Sequence, residues 1–162
     1  MIVVVMGVAG AGKTVVGQHL AAALGAEFID GDDYHPPENV AKMRAGTPLI
    51  DADRWPWLAR LNGVLRERAA SSRSAVLACS ALKAAYREAL LEDLPDARVV
   101  HLRGSRSLIA SRLKGRSGHY MNPVLLSSQF AALEEPADAI VVDVTESPEA
   151  IVTALQRELG VR

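Results

Sequence analysis

Apolar and β-branched residues fall in short runs at Ile2 to Val5, Glu27 to Ile29, Ala75 to Ala78, Arg98 to Leu102 and Ile140 to Val144, and between the runs the apolar positions recur at helical spacing. Short runs of this kind bounded by turn residues read as strands, and the longer periodic stretches read as helices. Helices are predicted over Lys13 to Leu24, Pro37 to Ala45, Arg54 to Ala70, Lys83 to Leu91, Ser105 to Lys114, Pro123 to Leu133 and Pro148 to Leu159. Strand and helix alternate along the whole chain, which lays the strands parallel because each helix returns the chain across the sheet. The expected architecture is α/β: a five-stranded parallel sheet flanked by helices, in one domain spanning residues 1–162. Some helix starts carry their own chemistry. Ser147 precedes Pro148 and Glu149, a cap followed by a proline at the first helical position, and Asn122 before Pro123 reads the same way. No internal repeat or low-complexity linker divides the chain, and Ala70 to Ser74 is only a helix-to-strand loop.

In an open α/β sheet, ligands gather outside the carboxyl ends of the strands, so the residues after each run carry the chemistry. After the first run stand Gly7, Val8, Ala9, Gly10, Ala11, Gly12, Lys13 and Thr14. The pattern G-x-x-x-x-G-K-[ST] between a strand and a helix is a phosphate-binding loop: glycines let backbone N–H groups converge on phosphate oxygens, and the lysine reaches the outer phosphates. Thr14 offers a hydroxyl to Mg²⁺, and the positive end of the following helix faces the same anion. A nucleotide and Mg²⁺ are the expected ligands.

The bulk properties narrow the partners. Net charge −1 with 23% charged residues gives no overall basic field, which argues against nucleic acid or an anionic membrane as the main partner. A small ligand is expected instead. Cys79 is the single cysteine and cannot form an internal disulfide, and His19, His35, His101 and His119 show no zinc-ligand spacing. The apolar start Ile2 to Met6 is shorter than a signal h-region or a membrane span and has no basic residue before it, so a cytoplasmic protein is expected.

Further constellations follow the other strands. Asp30-Gly31-Asp32-Asp33-Tyr34-His35-Pro36 puts three carboxylates and a histidine at a strand end, where they can position the waters of Mg²⁺ and accept a proton from an attacking hydroxyl. Asp32 is the base candidate, and Asp30 joins Thr14 as a candidate metal-holding oxygen. In Asp51-Ala52-Asp53-Arg54-Trp55-Pro56-Trp57, Asp53 caps a helix, the tryptophans suit a core, and Arg54 offers a planar fork to a substrate carboxylate or phosphate. Ser80 and Lys83, with Tyr86 and Arg87 beyond, offer donors to a polar ligand, while Cys79 reads as a small buried hydrophobe without chemistry. Arg103, Arg106, Arg112, Lys114, Arg116 and His119 concentrate positive charge. Arg112 and Arg116 are four apart on one helix side, and Ser117-Gly118 supplies a break, so residues 103–121 read as a mobile helical lid whose cations close over phosphates.

Taken together, GVAGAGKT, GDDYHP, LIDADRWPWL, CSALKAAYR, SRLKGRSGHYM and QFAALEEP resemble the thermoresistant-type gluconate kinases of the P-loop small-molecule kinase superfamily, over nearly the whole chain. The resemblance implies the P-loop kinase fold and transfer of the ATP γ-phosphoryl to the 6-hydroxyl of D-gluconate, with Mg²⁺ and as a homodimer. It places Lys13, Asp32 and Arg116 in catalysis. Gly7 to Thr14 with Arg112 and Arg116 hold the nucleotide, and Asp32, His35, Arg54, Ser80, Lys83, Arg87 and His119 hold gluconate. The chain departs from the family pattern at Ala52, where aspartate is usual, and at Ile50, where a small polar residue is usual. A kinase of another small hydroxy acid such as shikimate, matched through Asp30 and Asp32, is one alternative, although shikimate kinases lack the GDxxHP and CSALK segments. A nucleotide-binding regulatory module is the other.

Overall fold

The computed structural model describes residues 1–115 and 123–162. Its elements run β1 (Ile2–Met6), α1 (Lys13–Leu24), β2 (Glu27–Asp30), α2 (Pro37–Arg44), α3 (Asp51–Ala70), β3 (Ala75–Ala78), α4 (Ala84–Leu90), β4 (Arg98–Arg103), α5 (Arg106–Lys114), α6 (Pro123–Ala132), β5 (Ile140–Asp143) and α7 (Pro148–Glu158). The expected elements all occur in order, with ends displaced by single residues except at α3. That helix begins three residues before the expected Arg54, because the Asp53 carboxylate reaches back to the Ile50 N–H at 2.9 Å and pulls Asp51 and Ala52 into the first turn. The acidic segment is also not an open loop: Gly31–Tyr34 winds into one turn of 3₁₀ helix.

All strands are parallel, in the order β2-β3-β1-β4-β5. β1 lies at the centre and is buried along its whole length, as its unbroken apolar run requires. Val3 and Val5 face one layer, with Leu20 of α1 and Ile151 and Leu155 of α7. Ile2, Val4 and Met6 face the other, with Leu58, Leu61 and Leu65 of α3 and Leu90 of α4. The chain thus leaves β1 through α1 on one face of the sheet and leaves the neighbouring β3 through α4 on the other. The point between them, at the carboxyl ends of β1 and β3, is where the order of the strands reverses and a ligand crevice forms.

Capping follows local chemistry. Ser147 Oγ accepts from the Ala150 N–H at 3.2 Å ahead of Pro148, and Ser105 Oγ accepts from the Leu108 N–H at 3.1 Å. Asn122, the expected cap of α6, lies outside the described residues. By contrast α1 has no side-chain cap: Gly12 stands at its N-cap with φ 95°, leaving the first-turn amides without an intrahelical acceptor.

Candidate active site

The loop from Gly7 to Gly12 folds over the end of β1, and close approach requires glycine at Gly7 and Gly10. A Cβ on Gly7 would lie 2.9 Å from the Leu102 carbonyl oxygen, and one on Gly10, whose φ is 80°, would lie 2.8 Å from Leu113 Cγ. The loop is tied to the neighbouring strand end by the Gly7 N–H, which donates to the Ser80 carbonyl at 3.4 Å. Lys13 Nζ donates to the Val8 carbonyl at 3.0 Å, and its charge acts on Asp32. Thr14 is exposed in the first turn of α1.

Across β3, Asp30 ends β2 and its carboxylate accepts from the Asp32 N–H at 3.0 Å, which starts the 3₁₀ turn. Gly31 passes so close to β3 that a Cβ would lie 2.8 Å from the Ala78 carbonyl, and its own carbonyl takes the Trp57 indole N–H at 2.8 Å. The turn therefore has one position, and Asp32 projects from it with its side chain 87% exposed. Its charge is nonetheless partly desolvated by the neighbouring protein. This desolvation, with the charge of Asp30, holds it above the usual carboxylate range, while His35 and Lys13 pull it down.

His35 is buried and stacked on Trp57, with ring centroids 4.2 Å apart. Asn39 fixes its tautomer. The Asn39 amide nitrogen donates to the Asp53 carbonyl at 2.9 Å, so the same nitrogen lies 3.2 Å from His35 Nδ1 as a donor. Nδ1 accepts, the proton sits on Nε2, and Nε2 faces Asp32 Oδ1 at 3.9 Å. Burial lowers the His35 pKa, so the neutral ring is favoured.

The start of α3 forms the third wall. Asp51 Oδ1 accepts from the Tyr86 hydroxyl at 2.5 Å and from Arg54 Nη1 at 3.3 Å. Arg54 and Lys83 both stand over the Tyr86 ring, 5.4 and 5.8 Å from its centroid, and Trp55 meets the ring edge-on at 5.7 Å. Two cations thus share one aromatic platform, a suitable seat for an anion. Asp53 plays the capping part and pairs with Lys42 at 2.7 Å. Of the two tryptophans only Trp57 joins the core; Trp55 is 40% exposed.

Two readings change. Arg87, expected to touch substrate, is buried and turned inward: Nη1 donates to the Ala81 and Leu82 carbonyls at 2.8 and 3.0 Å, and Nη2 to the Glu134 carbonyl at 2.8 Å. Its fork is occupied by main chain, so it shapes the turn that bears Ser80 and Lys83. The segment after β5, expected only to start a helix at Ser147-Pro148, lines a cleft of about 340 Å³ with the phosphate loop: Val144, Glu146 and Pro148 face Gly10, Gly12 and Arg112. The position of this segment at a strand's carboxyl end was the available signal. Arg112 Nη2 donates to the Val144 carbonyl there. Cys79 is buried and its thiol is pushed up to about 12 by desolvation, which makes it inert as expected. Arg116, Gly118 and His119 lie outside the described residues, with the part of the expected lid that follows Gly115.

Residues 2–138 match the family described as AAA domain. The chain is 48% identical over 157 residues to a gluconokinase of Gluconobacter oxydans, covering 95% of this chain and 88% of that protein. It is 41% identical over 157 residues to the thermoresistant gluconokinase of Escherichia coli, covering 94% and 90%. The crystal structure of a gluconokinase from Sinorhizobium meliloti superposes with a TM-score of 0.82 at 43% identity, covering 97% of this chain and 94% of that one.

Proposed function

This chain belongs to the gluconokinase family, and from that membership we infer that it transfers the γ-phosphoryl group of ATP to D-gluconate, giving 6-phospho-D-gluconate. The observation that carries the mechanism is the placement of Asp32, whose exposed carboxylate projects from the turn after β2, beside His35 Nε2 and within the field of the Lys13 charge of the phosphate loop.

Phosphoryl transfer through a loose transition state is mostly positioning and charge neutralisation. The α1 amides and Lys13 face the phosphates, and the cleft between Arg112 and the Val144 to Pro148 segment takes the nucleoside. Asp32 accepts the proton of the attacking hydroxyl. Its raised pKa keeps it basic enough for that step, and the His35 Nε2–H beside it orients the carboxylate or a substrate hydroxyl. Arg54 and Lys83 on the Tyr86 platform hold the gluconate carboxylate, and Ser80, half-buried three residues before Lys83, adds a hydroxyl. From the sequence, Arg116 and His119 add a cation and a hydroxyl partner.

The oxygens at the site suit Mg²⁺, a hard cation that keeps several waters and binds through one or two protein oxygens plus phosphates. Among the described residues no three His, Cys, Asp or Glu side chains gather into a cage, and Thr14 and Asp30 offer hydroxyl and carboxylate oxygen. These two would hold the ion, which supplies charge neutralisation on the phosphates. A homodimer in the cytoplasm completes the reading.

The test is Mg²⁺-dependent ADP release with a panel of acceptors. D-Gluconate should stimulate release far above shikimate, glucose or nucleoside monophosphates, since sites built to hydrogen-bond hydroxyls reject analogues lacking them by up to about 10⁴-fold. Stimulation by another acceptor and not by gluconate would overturn the substrate and leave the kinase class. ADP release that no acceptor stimulates would favour a regulatory module.

A further inference from the structure

α6 and the residues just after it hydrogen-bond to both the phosphate loop and the turn between β3 and α4. Its C-terminal end is sewn to the turn between β3 and α4. The Glu134 N–H donates to the Leu82 carbonyl at 2.8 Å, Arg87 donates to the Glu134 carbonyl at 2.8 Å, and the Ala84 N–H donates to the Glu134 carboxylate at 3.3 Å. Phe130 and Leu133 pack that end onto the core. From this fixed base Gln129 reaches the crown of the phosphate loop, where its side-chain oxygen accepts from the Ala9 N–H at 2.7 Å.

That amide belongs to the peptide plane joining Val8 to Ala9. The carbonyl of the same plane is Val8 O, which accepts from Lys13 Nζ at 3.0 Å and from the Ala11 N–H at 3.2 Å. In a trans peptide the N–H and C=O point in opposite directions. Holding the N–H outward on Gln129 therefore holds the carbonyl inward, where it receives Lys13. The first-turn amides of α1 are those directed at phosphate; the Ala9 amide is spent elsewhere, on orientation.

We propose that Gln129 is a positioning residue for the nucleotide: it fixes the Val8–Ala9 peptide plane and, through it, the crown of the phosphate loop and the placement of Lys13. The proposal rests on the loop being the nucleotide site and is independent of the acceptor. Freed of Gln129, the plane samples more than one orientation, and nucleotide binding has to order it again.

The experiment compares wild type with Gln129→Met, which keeps length and loses the acceptor, and with Gln129→Ala. ADP affinity by calorimetry needs no acceptor substrate and should weaken by about five- to tenfold, the range expected for one neutral hydrogen bond with its ordering cost. Hydrogen exchange at the Ala9 amide should accelerate by about tenfold or more on the same scale of bond strength, while the β1 amides keep their protection. In steady state the KM for ATP should rise while the KM for gluconate stays within about twofold, a split that general loss of stability does not produce. ADP affinity within about twofold of wild type in folded variants would overturn the proposal, as would a uniform rise in exchange across the sheet. Failure of both variants to fold would make Gln129 a folding determinant and overturn it too. Wild type that bound no ADP would instead overturn the reading of the loop.

Discussion

The hydroxyl of Tyr86 and the carboxylate of Asp51 meet at 2.5 Å, joining the α4 platform to the first turn of α3, and the same Asp51 oxygen takes Arg54 at 3.3 Å. The hydrogen bond from Tyr86 is the main reason that Asp51 is held below the usual carboxylate range, with Lys83 and Arg54 adding to it. Asp51 thus remains a carboxylate and keeps Arg54 over the ring. Tyr86→Phe preserves the ring and removes this fastening. It should raise the KM for gluconate by about three- to tenfold, the worth of one hydrogen bond, with the KM for ATP unmoved. Arg54→Lys keeps the charge and loses the planar fork, and steady-state kinetics should show a loss of about tenfold or more on the gluconate side alone.

Asp32→Asn should retain ADP binding and lower turnover by about 10²-fold or more, as expected for removal of a general base. The pH profile gives an independent readout. A base must be deprotonated, and the Asp32 pKa is raised, so kcat/KM should fall with decreasing pH along a limb placed above the ordinary carboxylate value. Burial is the larger cause and the Asp30 charge the next, so Asp30→Asn, which can still accept from the Asp32 N–H, should move that limb to lower pH whatever it does to the maximal rate.

Arg87 distinguishes a shaping role from a binding one. Arg87→Met removes the donors to three main-chain carbonyls, at Ala81, Leu82 and Glu134. Leaving buried acceptors unpaired should cost about 2–4 kcal/mol in urea denaturation. A direct substrate ligand would behave differently, raising the KM for gluconate at unchanged stability.

His101 is buried on β4 beside Met6 of β1, and its Nδ1 has no hydrogen-bond partner among the described residues. Burial lowers its pKa, the charges of Arg103 and Arg87 act the same way, and Glu135 opposes them. The unfolded chain then binds the extra proton more readily than the folded one. Stability from this residue is therefore full above the unfolded value of about 6.5 and is lost as pH falls below it. Urea midpoints between pH 7 and pH 5 should decline less steeply in His101→Leu than in wild type.

Periodicity and turn chemistry are local properties, and what depended on them was legible in the chain itself. The five strands and seven helices of the described residues, the phosphate loop and the Ser147-Pro148 helix start need only neighbours a few residues apart. The family was legible as well, because its motifs are contiguous segments such as GDDYHP and CSALKAAYR. Even the early start of α3 turns on a contact across three residues, Asp53 to Ile50, although an aspartate that caps from within the first turn reads in sequence like one that precedes it. The direction in which a long side chain points is another matter, because it is settled by partners far away in the chain. Arg87 and Arg54 are both arginines beside candidate motifs, yet Arg87 is drawn inward by the Glu134 carbonyl while Arg54 stays at the cleft on Asp51 and Tyr86. Tertiary packing also decided the His35 tautomer through Asn39 and Asp53, and the cleft wall at Val144 to Pro148. The grip of Gln129 on Ala9 is of the same kind: nothing near either residue in sequence announces it, because the two meet only once α6 has returned to the end of β1.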